Sequence, residues 1–324
     1  MEQALYHPKH GYYSTDRARI GRRGDYFTNV SVGPLFGELL TAQFAEIWQR
    51  LENIDNVAIL EQGAHHGEFA RDVLESACGR FPDLFSALKY KIVEPFPRLQ
   101  DRQSQMLAAF RDRVEWRKSL DELEPFVGIH FSNELLDAMP INLPHKLVAL
   151  EGDKFVLVDS AQEQIANQSQ LDWIANVAAK IQRGFVIAID YGFPKNEFRE
   201  VIQARSQHRL LDSIFEQIGD ADITAHVNWT EIAEVAEQNG LRVIGFTDQH
   251  HFLTGIISTY PEFVAGEKSK RALQTLLHPE MLGRSFQVLA LAKDVDPSTL
   301  LRTSLAEPLS GFKFARDARK TLGL

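Results

Sequence analysis

The sequence predicts an α/β protein whose mostly parallel sheet is covered by helices on both faces. Short apolar runs alternate with stretches of helical periodicity along most of the 324 residues. Several of the runs end in an acidic residue or a glycine, as strands of open parallel sheets do beside a ligand crevice. The composition, 44% hydrophobic and 24% charged, is that of a globular chain and excludes disorder or a fibrous repeat.

The first half of the chain shows the alternation most clearly. After an irregular arm over residues 1–33, apolar residues from Leu35 to Leu51 recur at helical spacing. Strands are predicted at 57–60, 90–93, 114–116 and 128–132, and helices at 68–78 and from 96 to about 109. Gly79 is the expected stop of the helix that begins at Glu68. Because strand–helix–strand units cross over right-handedly, these strands are expected to be parallel.

The second half adds three more strands, two insertions and a tail. The strands are expected at 185–189, 241–244 and 285–291. Two apolar runs, 146–150 and 155–158, predict a β-hairpin inside an insertion over 140–183. A second insertion, over 193–228, has no strong periodicity, and we expect both insertions to form a substrate lid or subdomain. The domain is expected to span 1–295, followed by a solvated helical tail over 296–324.

Charge, cysteine content and hydropathy exclude several classes of protein. A single cysteine, Cys78, excludes a disulfide framework and a thiolate-rich zinc site. The formal charge of −9 disfavours a general nucleic-acid binder. The apolar runs are far shorter than the roughly 20 residues of a membrane span, and the first residues do not form a signal peptide. The lack of an organelle presequence predicts a bacterial cytoplasmic protein; the oligomeric state stays open.

The segment Glu61-Gln62-Gly63-Ala64-His65-His66-Gly67 follows the first strand and opens a helix. Glycine at a tight turn lets the backbone approach a ligand, and a helix N-terminus presents free N–H groups. The G-x-G-x-x-G pattern of dinucleotide enzymes is missing, which disfavours a nicotinamide-dependent oxidoreductase. An acid at the strand end suits an amine-bearing ligand and favours S-adenosylmethionine. The alternative is a turn that only serves packing.

Two further groups of acids follow later strands. Glu94 ends the second strand, where a carboxylate can accept hydrogen bonds from both ribose hydroxyls; a helix-capping surface carboxylate is the alternative. Asn133, Glu134 and Asp137 follow the fourth strand. Glu134 and Asp137 would share one face of a helical turn and could grip a guanidinium. The alternative is a capped helix start whose acids favour the helix dipole.

The histidines give little support for a metal site. His65-His66 and His250-His251 are adjacent pairs, expected to point in different directions, so no metal is predicted. His226 is either a general base or a buried, hydrogen-bonded histidine.

Five segments carry a resemblance to a known family. They are Gly24-Asp25-Tyr26-Phe27-Thr28, Gly33-Pro34-Leu35-Phe36-Gly37, Asn133-Glu134-Leu135-Leu136-Asp137-Ala138-Met139-Pro140, Asp190-Tyr191-Gly192 and Asp222-Ile223-Thr224-Ala225-His226-Val227. From about Leu5 to Ala292 the chain resembles the MidA-type methyltransferases, a class I S-adenosylmethionine-dependent family that includes the mitochondrial complex I assembly methyltransferase. The resemblance implies a Rossmann-like, seven-stranded sheet with an antiparallel last strand. It also implies methyl transfer to a protein arginine, at least in the mitochondrial member.

The resemblance also implies roles for individual residues. Those implied to bind the cofactor are Glu61, Gly63 and Gly67 in the loop, Glu94 at the ribose, Gly24, Asp25, Phe27 and Thr28 in the arm, and Asn133. Those implied to act at the substrate are Asn133, Glu134, Asp137 and His226, with Asp190 and Tyr191 nearby. The implied partner is a protein substrate, in the mitochondrial member a subunit connected with respiratory complex I.

The chain departs from the family pattern in the glycine loop. His65 and His66 stand where the family usually has small residues, and a side chain at position 65 would crowd the methionine part of the cofactor. The alternative hypothesis is therefore a non-catalytic assembly or scaffolding factor that keeps the fold. The segment between Asp190 and Asp222 matches poorly, so the substrate is the least transferable prediction.

Overall fold

Helices and strands alternate along the chain, which a computed structural model describes over residues 1–15, 28–161, 165–199, 201–295 and 308–324. The strands are β1 Val57–Gln62, β2 Leu88–Val93, β3 Val114–Arg117, β4 Phe126–Asn133, β5 Lys146–Glu151, β6 Lys154–Asp159, β7 Ile181–Phe193, β8 Ile202–Ser206, β9 Arg209–Leu210, β10 Asp222–Ala225, β11 Val227–Asn228, β12 Arg242–Asp248 and β13 Phe286–Lys293. The α-helices are α1 Glu2–Tyr6, α2 Leu35–Arg50, α3 Glu68–Arg80, α4 Pro82–Ala87, α5 Pro97–Met106, α6 Gln168–Lys180, α7 Trp229–Gln238, α8 Gln249–Thr259, α9 Glu267–Leu277 and α10 Ala318–Leu322. Among these helices, none has both the length and the apolar character that crossing a bilayer requires.

The main sheet has the order β3-β2-β1-β4-β7-β13-β12, and the short β11 pairs with the end of β7 as an eighth strand. Pairing is parallel from β3 across to β7. Strand β13, the last in the chain, is antiparallel to both β7 and β12. The predicted mostly parallel sheet with an antiparallel last strand is confirmed.

Two apolar layers hold helices against the faces of this sheet. On one face α2 packs through Leu39, Leu40 and Phe44, which are completely buried. On the other face α6 and α7 contribute Trp173 and Trp229 to a second buried cluster. Because β1 is buried on both faces, its sequence is a continuous apolar run rather than an alternating one.

Two predicted boundaries are corrected by the structure. Helix α3 passes through Gly79 and ends at Arg80, so the predicted glycine stop is wrong. A Cβ at Gly79 would meet nothing within 4 Å, so this glycine is simply a tolerated helical residue. Strand β7 is longer than the predicted 185–189, because residues before and after that run also pair with β4, β13 and β11.

The insertions contain more regular structure than the sequence pattern indicated. The predicted hairpin is present as the antiparallel pair β5–β6. The segment over 193–228 contains a three-stranded antiparallel sheet, β10-β8-β9, although it has no clear period of its own. Its buried residues Ala204 and Ile223 pack on Leu5 and Tyr12 of the N-terminal arm. The arm, which contains the short helix α1, therefore supplies the core that this small sheet lacks.

The described part of the tail, 308–324, is packed against the domain, so the expectation of a solvated helix is wrong. Phe312 stacks edge-to-face on Phe252 of α8, with ring centroids 5.2 Å apart. The Gly311 N–H donates to Gln43 Oε1 at 2.8 Å, and the Thr230 hydroxyl donates to the Leu322 carbonyl at 2.7 Å. The basic residues of the tail suggested a solvated helix, but its apolar residues pack against the domain.

Candidate functional site

A cavity of about 1060 Å³ opens at the carboxyl ends of β1, β2 and β4. This is the point at which the sheet order reverses, since the chain proceeds from β1 to β2 on one side and β4 lies on the other. The glycine loop, the loop after β2 and the loop after β4 form three walls. Tyr6 of the arm and Trp173 of α6 complete the lining. The volume is that of a site for a drug-sized or larger ligand.

The glycine loop turns sharply between β1 and α3. Gly63 and Gly67 have φ values of 87° and 90°, in the region that glycine adopts without strain. Gly63 lines the cavity, as predicted from the resemblance. Gly67 lies outside the lining, where it caps α3 and packs on α5; a Cβ there would approach Gln103 Cα to 3.4 Å.

Glu61 lies at the end of β1 and lines the cavity. Its carboxyl is buried and accepts a hydrogen bond from the Tyr90 hydroxyl, from the neighbouring strand, at 2.8 Å. Burial raises the pKa of Glu61 to about 8, and the Tyr90 hydrogen bond opposes that rise. When Glu61 is ionised, little in the described part of the protein besides the Tyr90 hydrogen bond stabilises its charge. A cationic group of a ligand in the cavity would therefore stabilise the ionised form.

Glu94 lies at the end of β2, where the sequence predicted a ribose-binding carboxylate, and it lines the cavity. Its Oε1 accepts from the Phe96 N–H and its Oε2 from Gln103 Nε2, both at 3.0 Å. Burial raises the pKa of Glu94 to about 7, while these two hydrogen bonds lower it. Both donors are neutral, so the ionised carboxylate keeps its charge and lone pairs for a ligand's hydroxyls.

The rings of His65 and His66 stack, with centroids 3.7 Å apart, so the expectation that they point apart is wrong. His65 has a φ of 45°, and burial lowers its pKa to about 4. Ligand atoms of His65, His66 and Glu68 lie within 4.8 Å of one another. A metal ion bound to an imidazole nitrogen lies in the plane of the ring. An ion shared by two stacked rings would lie outside both planes, so this arrangement disfavours a shared metal. Arg102 also places a cation 2.9 Å from His66 Nε2, which disfavours an ion there.

The N-terminal arm forms one side of the cavity. Of the predicted arm residues, Thr28 lines the cavity, whereas Gly24, Asp25 and Phe27 lie outside the described residues. The structure adds Tyr6, which the sequence did not single out. Its hydroxyl donates to the Ala138 carbonyl at 2.9 Å, so α1 is bound directly to the loop after β4.

Asn133 and Glu134 line the cavity at the end of β4, as predicted. Glu134 Oε1 accepts from Asn133 Nδ2 at 2.9 Å and from the main-chain N–H of Asn29 at 3.2 Å. The side chain of Asn29 also donates to Asn133 Oδ1 at 3.0 Å. No donor in the described part of the chain reaches Glu134 Oε2. Burial, with Asp190 also contributing, raises the pKa of Glu134 to about 8.

Asp137 is not brought to the cavity with Glu134. Glu134 has a left-handed backbone, φ 54°, and the segment that follows is a loop rather than the predicted helical turn. Asp190 Oδ2 accepts from the N–H groups of Leu136 and Asp137, at 2.7 and 3.2 Å, and holds the loop in that form. The Asp137 side chain is buried; burial and the adjacent Asp190 raise its pKa well above the ordinary value.

His226 also lies outside the cavity lining. Its ring makes an edge-to-face contact with Phe193, with centroids 5.3 Å apart, and burial lowers its pKa. This placement resembles a packed histidine more than a base directed at a ligand. Its catalytic role stays a prediction.

Sequence reasoning also missed two buried polar residues at this site, Gln103 and Asn29. Each is completely buried and hydrogen-bonds a carboxylate that lines the cavity. Gln103 is one of several polar residues in α5, and Asn29 follows the arm motif without belonging to it. The distances in the folded chain, rather than any motif, identify both.

Comparison with known proteins gives matches over most of the chain. Residues 39–165 and 157–247 match the sequence model of a family described as "Putative S-adenosyl-L-methionine-dependent methyltransferase". The chain is 24% identical over 358 residues to the "Protein arginine methyltransferase NDUFAF7 homolog, mitochondrial" of Drosophila melanogaster, covering 90% of this chain and 80% of that protein. With the human "Protein arginine methyltransferase NDUFAF7, mitochondrial" it shares 22% identity over 383 residues, covering 99% and 82%.

A solved structure shares the whole architecture. It is a "likely methyl transferase" from Burkholderia thailandensis, bound to S-adenosyl-homocysteine, with a TM-score of 0.84 and 25% identity. The match covers 98% of this chain and 90% of that one. A structure of the corresponding native protein from the same organism gives a TM-score of 0.82.

Proposed function

The chain belongs to the family of S-adenosyl-L-methionine-dependent methyltransferases whose sequence model it matches, and from that membership we propose that its methyl acceptor is an arginine side chain of a protein. The enzyme class and the cofactor follow from the family and from the solved relative. The observation that carries the arginine is Glu134, a carboxyl group that lines the cavity with one oxygen hydrogen-bonded to the protein and the other without a donor among the residues that the structure describes.

The residues at the strand ends fit the cofactor. In our proposal Glu94 accepts hydrogen bonds from the ribose hydroxyls, and Glu61 compensates the ammonium of the methionine part. Gly63 lets the backbone of the loop approach closely, because its φ of 87° needs no Cβ. When bound, S-adenosylmethionine supplies a methyl group on a sulfonium centre. Asn133 also lines the cavity, and in our proposal it contacts the cofactor or the substrate.

Glu134 is the group proposed to hold the guanidinium. A guanidinium has five N–H donors and no acceptor, so it complements a carboxylate oxygen that lacks a donor. Asp190, buried behind the same loop, contributes to the raised pKa of Glu134, so a cation at Glu134 is favoured over a neutral acceptor. The names of the Drosophila and human relatives support the same acceptor.

Glu134 is also placed to handle the proton. The attacking nitrogen needs its lone pair, and a carboxylate on the adjacent N–H groups localises the positive charge on the other nitrogens. Beside a bound guanidinium Glu134 would be ionised, and its Oε2 would take up the proton that the nitrogen loses as the sulfonium–methyl bond breaks, the nitrogen–methyl bond forms and S-adenosyl-homocysteine leaves. A pKa of about 8 lies close to neutral pH, where proton transfer by a side chain is most effective.

The insertions support a protein rather than a small-molecule acceptor. Of the twelve exposed large hydrophobic residues in the described chain, nine lie in the two insertions: Leu147, Val148, Leu150, Phe155, Leu157, Ile165, Phe193, Leu210 and Ile218. Phe155 and Phe215 bring the two insertions within ring contact, with centroids 6.1 Å apart. We propose that the segments 140–183 and 193–228 receive the protein that carries the arginine. A respiratory-complex subunit and a cytoplasmic location stay predictions.

The test is to incubate the enzyme with S-adenosylmethionine labelled in its methyl group and an extract of cells that lack the enzyme. Labelled proteins are digested, and the modified residue is identified by mass spectrometry. We expect methylarginine, with labelling abolished by excess S-adenosyl-homocysteine. Label on lysine, on a carboxylate or only on small molecules would contradict the arginine and leave the methyltransferase class intact.

A further inference from the structure

Gln103 of α5 is completely buried directly behind the cofactor half of the cavity. It is not part of the cavity lining, so it does not contact a ligand there. Its backbone packs on the glycine loop: a Cβ at position 67 would lie 3.4 Å from Gln103 Cα, an ordinary van der Waals contact, and the φ of 90° at Gly67 favours glycine there. A long polar side chain in such a place requires partners for both ends of its amide.

Both ends of the Gln103 amide are bound, and they join three separate segments. Nε2 donates to the His65 carbonyl in the glycine loop at 2.8 Å and to Glu94 Oε2, after β2, at 3.0 Å. Oε1 accepts from Trp116 Nε1, on β3, at 3.0 Å. The two N–H groups thus bind the two segments that line the cofactor half of the cavity, and Trp116 fixes which end of the amide points towards them.

We propose that Gln103 is a positioning residue for the cofactor, which fixes the Glu94 carboxylate and the glycine loop in the mutual geometry that binds the nucleoside and the methionine part together. It acts through these two segments and not by contact with the ligand. The inference rests on the cofactor class and on the proposed cofactor-binding role of Glu94, and it is independent of whether arginine is the acceptor.

The hydrogen bond to Glu94 also favours the ionised form of that acid. Burial alone raises the pKa of Glu94, and the amide of Gln103 is one of the two neutral donors that oppose the rise. Replacing the amide by a second carboxyl would leave two acids sharing one proton, as in paired carboxylates generally. In that variant the cofactor would bind only when the pair of carboxyl groups carries a proton, which the native site does not require.

Other titratable groups also face this region, and none of the variants changes them. Tyr6 comes from α1, His65 and His66 from the glycine loop, and Arg102 from α5 itself. Lys118 and Asp121 line the cavity after β3. Since each variant is compared with the native enzyme at the same pH, contributions from these groups cancel.

The experiment is a calorimetric titration with S-adenosyl-homocysteine at pH 6, 7 and 8 for the native enzyme, Gln103→Met and Gln103→Glu. We expect Gln103→Met to weaken binding about 10-fold at every pH, since it keeps roughly the volume and loses all three hydrogen bonds of the amide. Gln103→Glu should bind within about threefold of Gln103→Met at pH 6 and lose at least another factor of about 10 by pH 8. The native enzyme should not lose affinity over this range.

Gln43 provides a matched control. It is also completely buried, donates to a glutamate carboxylate, Glu46 Oε2, at 2.8 Å, and accepts a main-chain N–H. It joins α2 to the C-terminal tail, far from the cavity. Gln43→Glu should change thermal stability and leave the affinity for S-adenosyl-homocysteine unchanged at each pH.

Trp116→Phe tests the third partner. If Trp116 acts only by orienting the Gln103 amide, Trp116→Phe weakens binding two- to threefold in the native enzyme and not at all in Gln103→Met. Binding within twofold of native at all three pH values for Gln103→Met and Gln103→Glu would overturn the proposal. If Gln103→Glu fails to fold, Gln103→Met and the Trp116 cycle still decide it.

Discussion

The two halves of the cavity place buried acids in different surroundings. On the cofactor side, Glu61 and Glu94 end adjacent strands, and each is bound by neutral donors of the fold, the Tyr90 hydroxyl or the Gln103 amide. On the proposed substrate side, Glu134 lies with Asp137 and Asp190 on two neighbouring segments, and after burial Asp190 is a cause of the raised pKa of both Glu134 and Asp137. Both sides contain acids with raised pKa values, and the proposed substrate side differs in that its acids lie close enough to affect one another.

The difference indicates how each half is specified. The cofactor side depends on strand ends and on a glycine turn, which any chain with this sheet order can supply. The substrate side depends on a loop with a left-handed Glu134 held by Asn29 and Asp190. A cationic group would relieve the repulsion there, and in our proposal a cation binds on each side, the guanidinium at Glu134 and the ammonium of the cofactor at Glu61.

The largest expected effect comes from removing the charge of Glu134. Glu134→Gln should lower methyl transfer about 10²- to 10⁴-fold, because the amide neither accepts the proton nor localises the guanidinium charge. Binding of S-adenosyl-homocysteine should stay within about twofold of native by calorimetry. Glu231→Gln is the matched control, since Glu231 also accepts from an asparagine, Asn167, but outside the cavity. Full turnover in Glu134→Gln would remove the distinction between the halves.

The complementary change is on the cofactor side. Glu94→Gln should weaken S-adenosyl-homocysteine binding about 10- to 100-fold, because hydrogen bonds to a charged acceptor contribute about 1.5–3 kcal/mol each. Saturating S-adenosylmethionine should restore most of the turnover. Glu115→Gln, on the exposed edge of the sheet beside Arg117, serves as the control. If Glu94→Gln lowers turnover at saturation as strongly as Glu134→Gln, the two halves are not separable.

Stability of the ligand-free enzyme should fall as pH rises from 7 to 9. The pKa values of Glu61 and Glu134, about 8, lie above those of an unfolded chain, so the folded state holds protons that the unfolded state has lost. This stabilisation is complete below the unfolded-state pKa of 4.5 and is lost by up to about 1.4 kcal/mol per pH unit for each proton as the pH rises to 8, so most of the fall from pH 7 to 9 lies between pH 7 and 8 and little between 8 and 9. His65, with a pKa of about 4, is neutral in this window and contributes no slope.

Urea unfolding at pH 7, 8 and 9 measures this slope. Glu61→Gln and Glu134→Gln should each flatten it, and Glu134→Gln should do so more, because it also relieves repulsion on Asp137 and Asp190. Equal flattening would indicate that the electrostatic difference between the halves is small. A stability that rises with pH would contradict the assignment of both groups.

The smallest expected effect is at His65. Its left-handed backbone costs about 1 kcal/mol in a residue with a side chain, and glycine adopts it freely. The affinity of His65→Gly for S-adenosyl-homocysteine should therefore equal that of the native enzyme or exceed it by a factor of less than about five. Weakening by more than threefold in calorimetry would show that the imidazole supports the cofactor rather than crowds it.

Most of the sheet could be predicted from the sequence, because buried parallel strands appear as apolar runs and the acids at their ends mark the crevice. The cavity lining includes five residues that the sequence analysis singled out: Glu61, Gly63, Glu94, Asn133 and Glu134. Asp137 could not be placed correctly, since spacing gives a helical face only if the backbone is helical, and Asp190 binds the amides that hold it otherwise. The partners of Gln103 and the packed tail depend on contacts between distant segments, which no local pattern records.

The position of β13 also constrains the order in which the chain can be completed during synthesis. Strands β1 to β4 follow one another in the sequence and pair among themselves in the folded chain, so we expect them to be able to pair before the later strands are synthesised. Strand β12 is translated before β13, yet in the described sheet it pairs only with β13. We expect β12 to stay open to protease in nascent chains stalled before residue 286 and to become protected once β13 has emerged. The exposed edge of β7 would then be the surface that a chaperone meets.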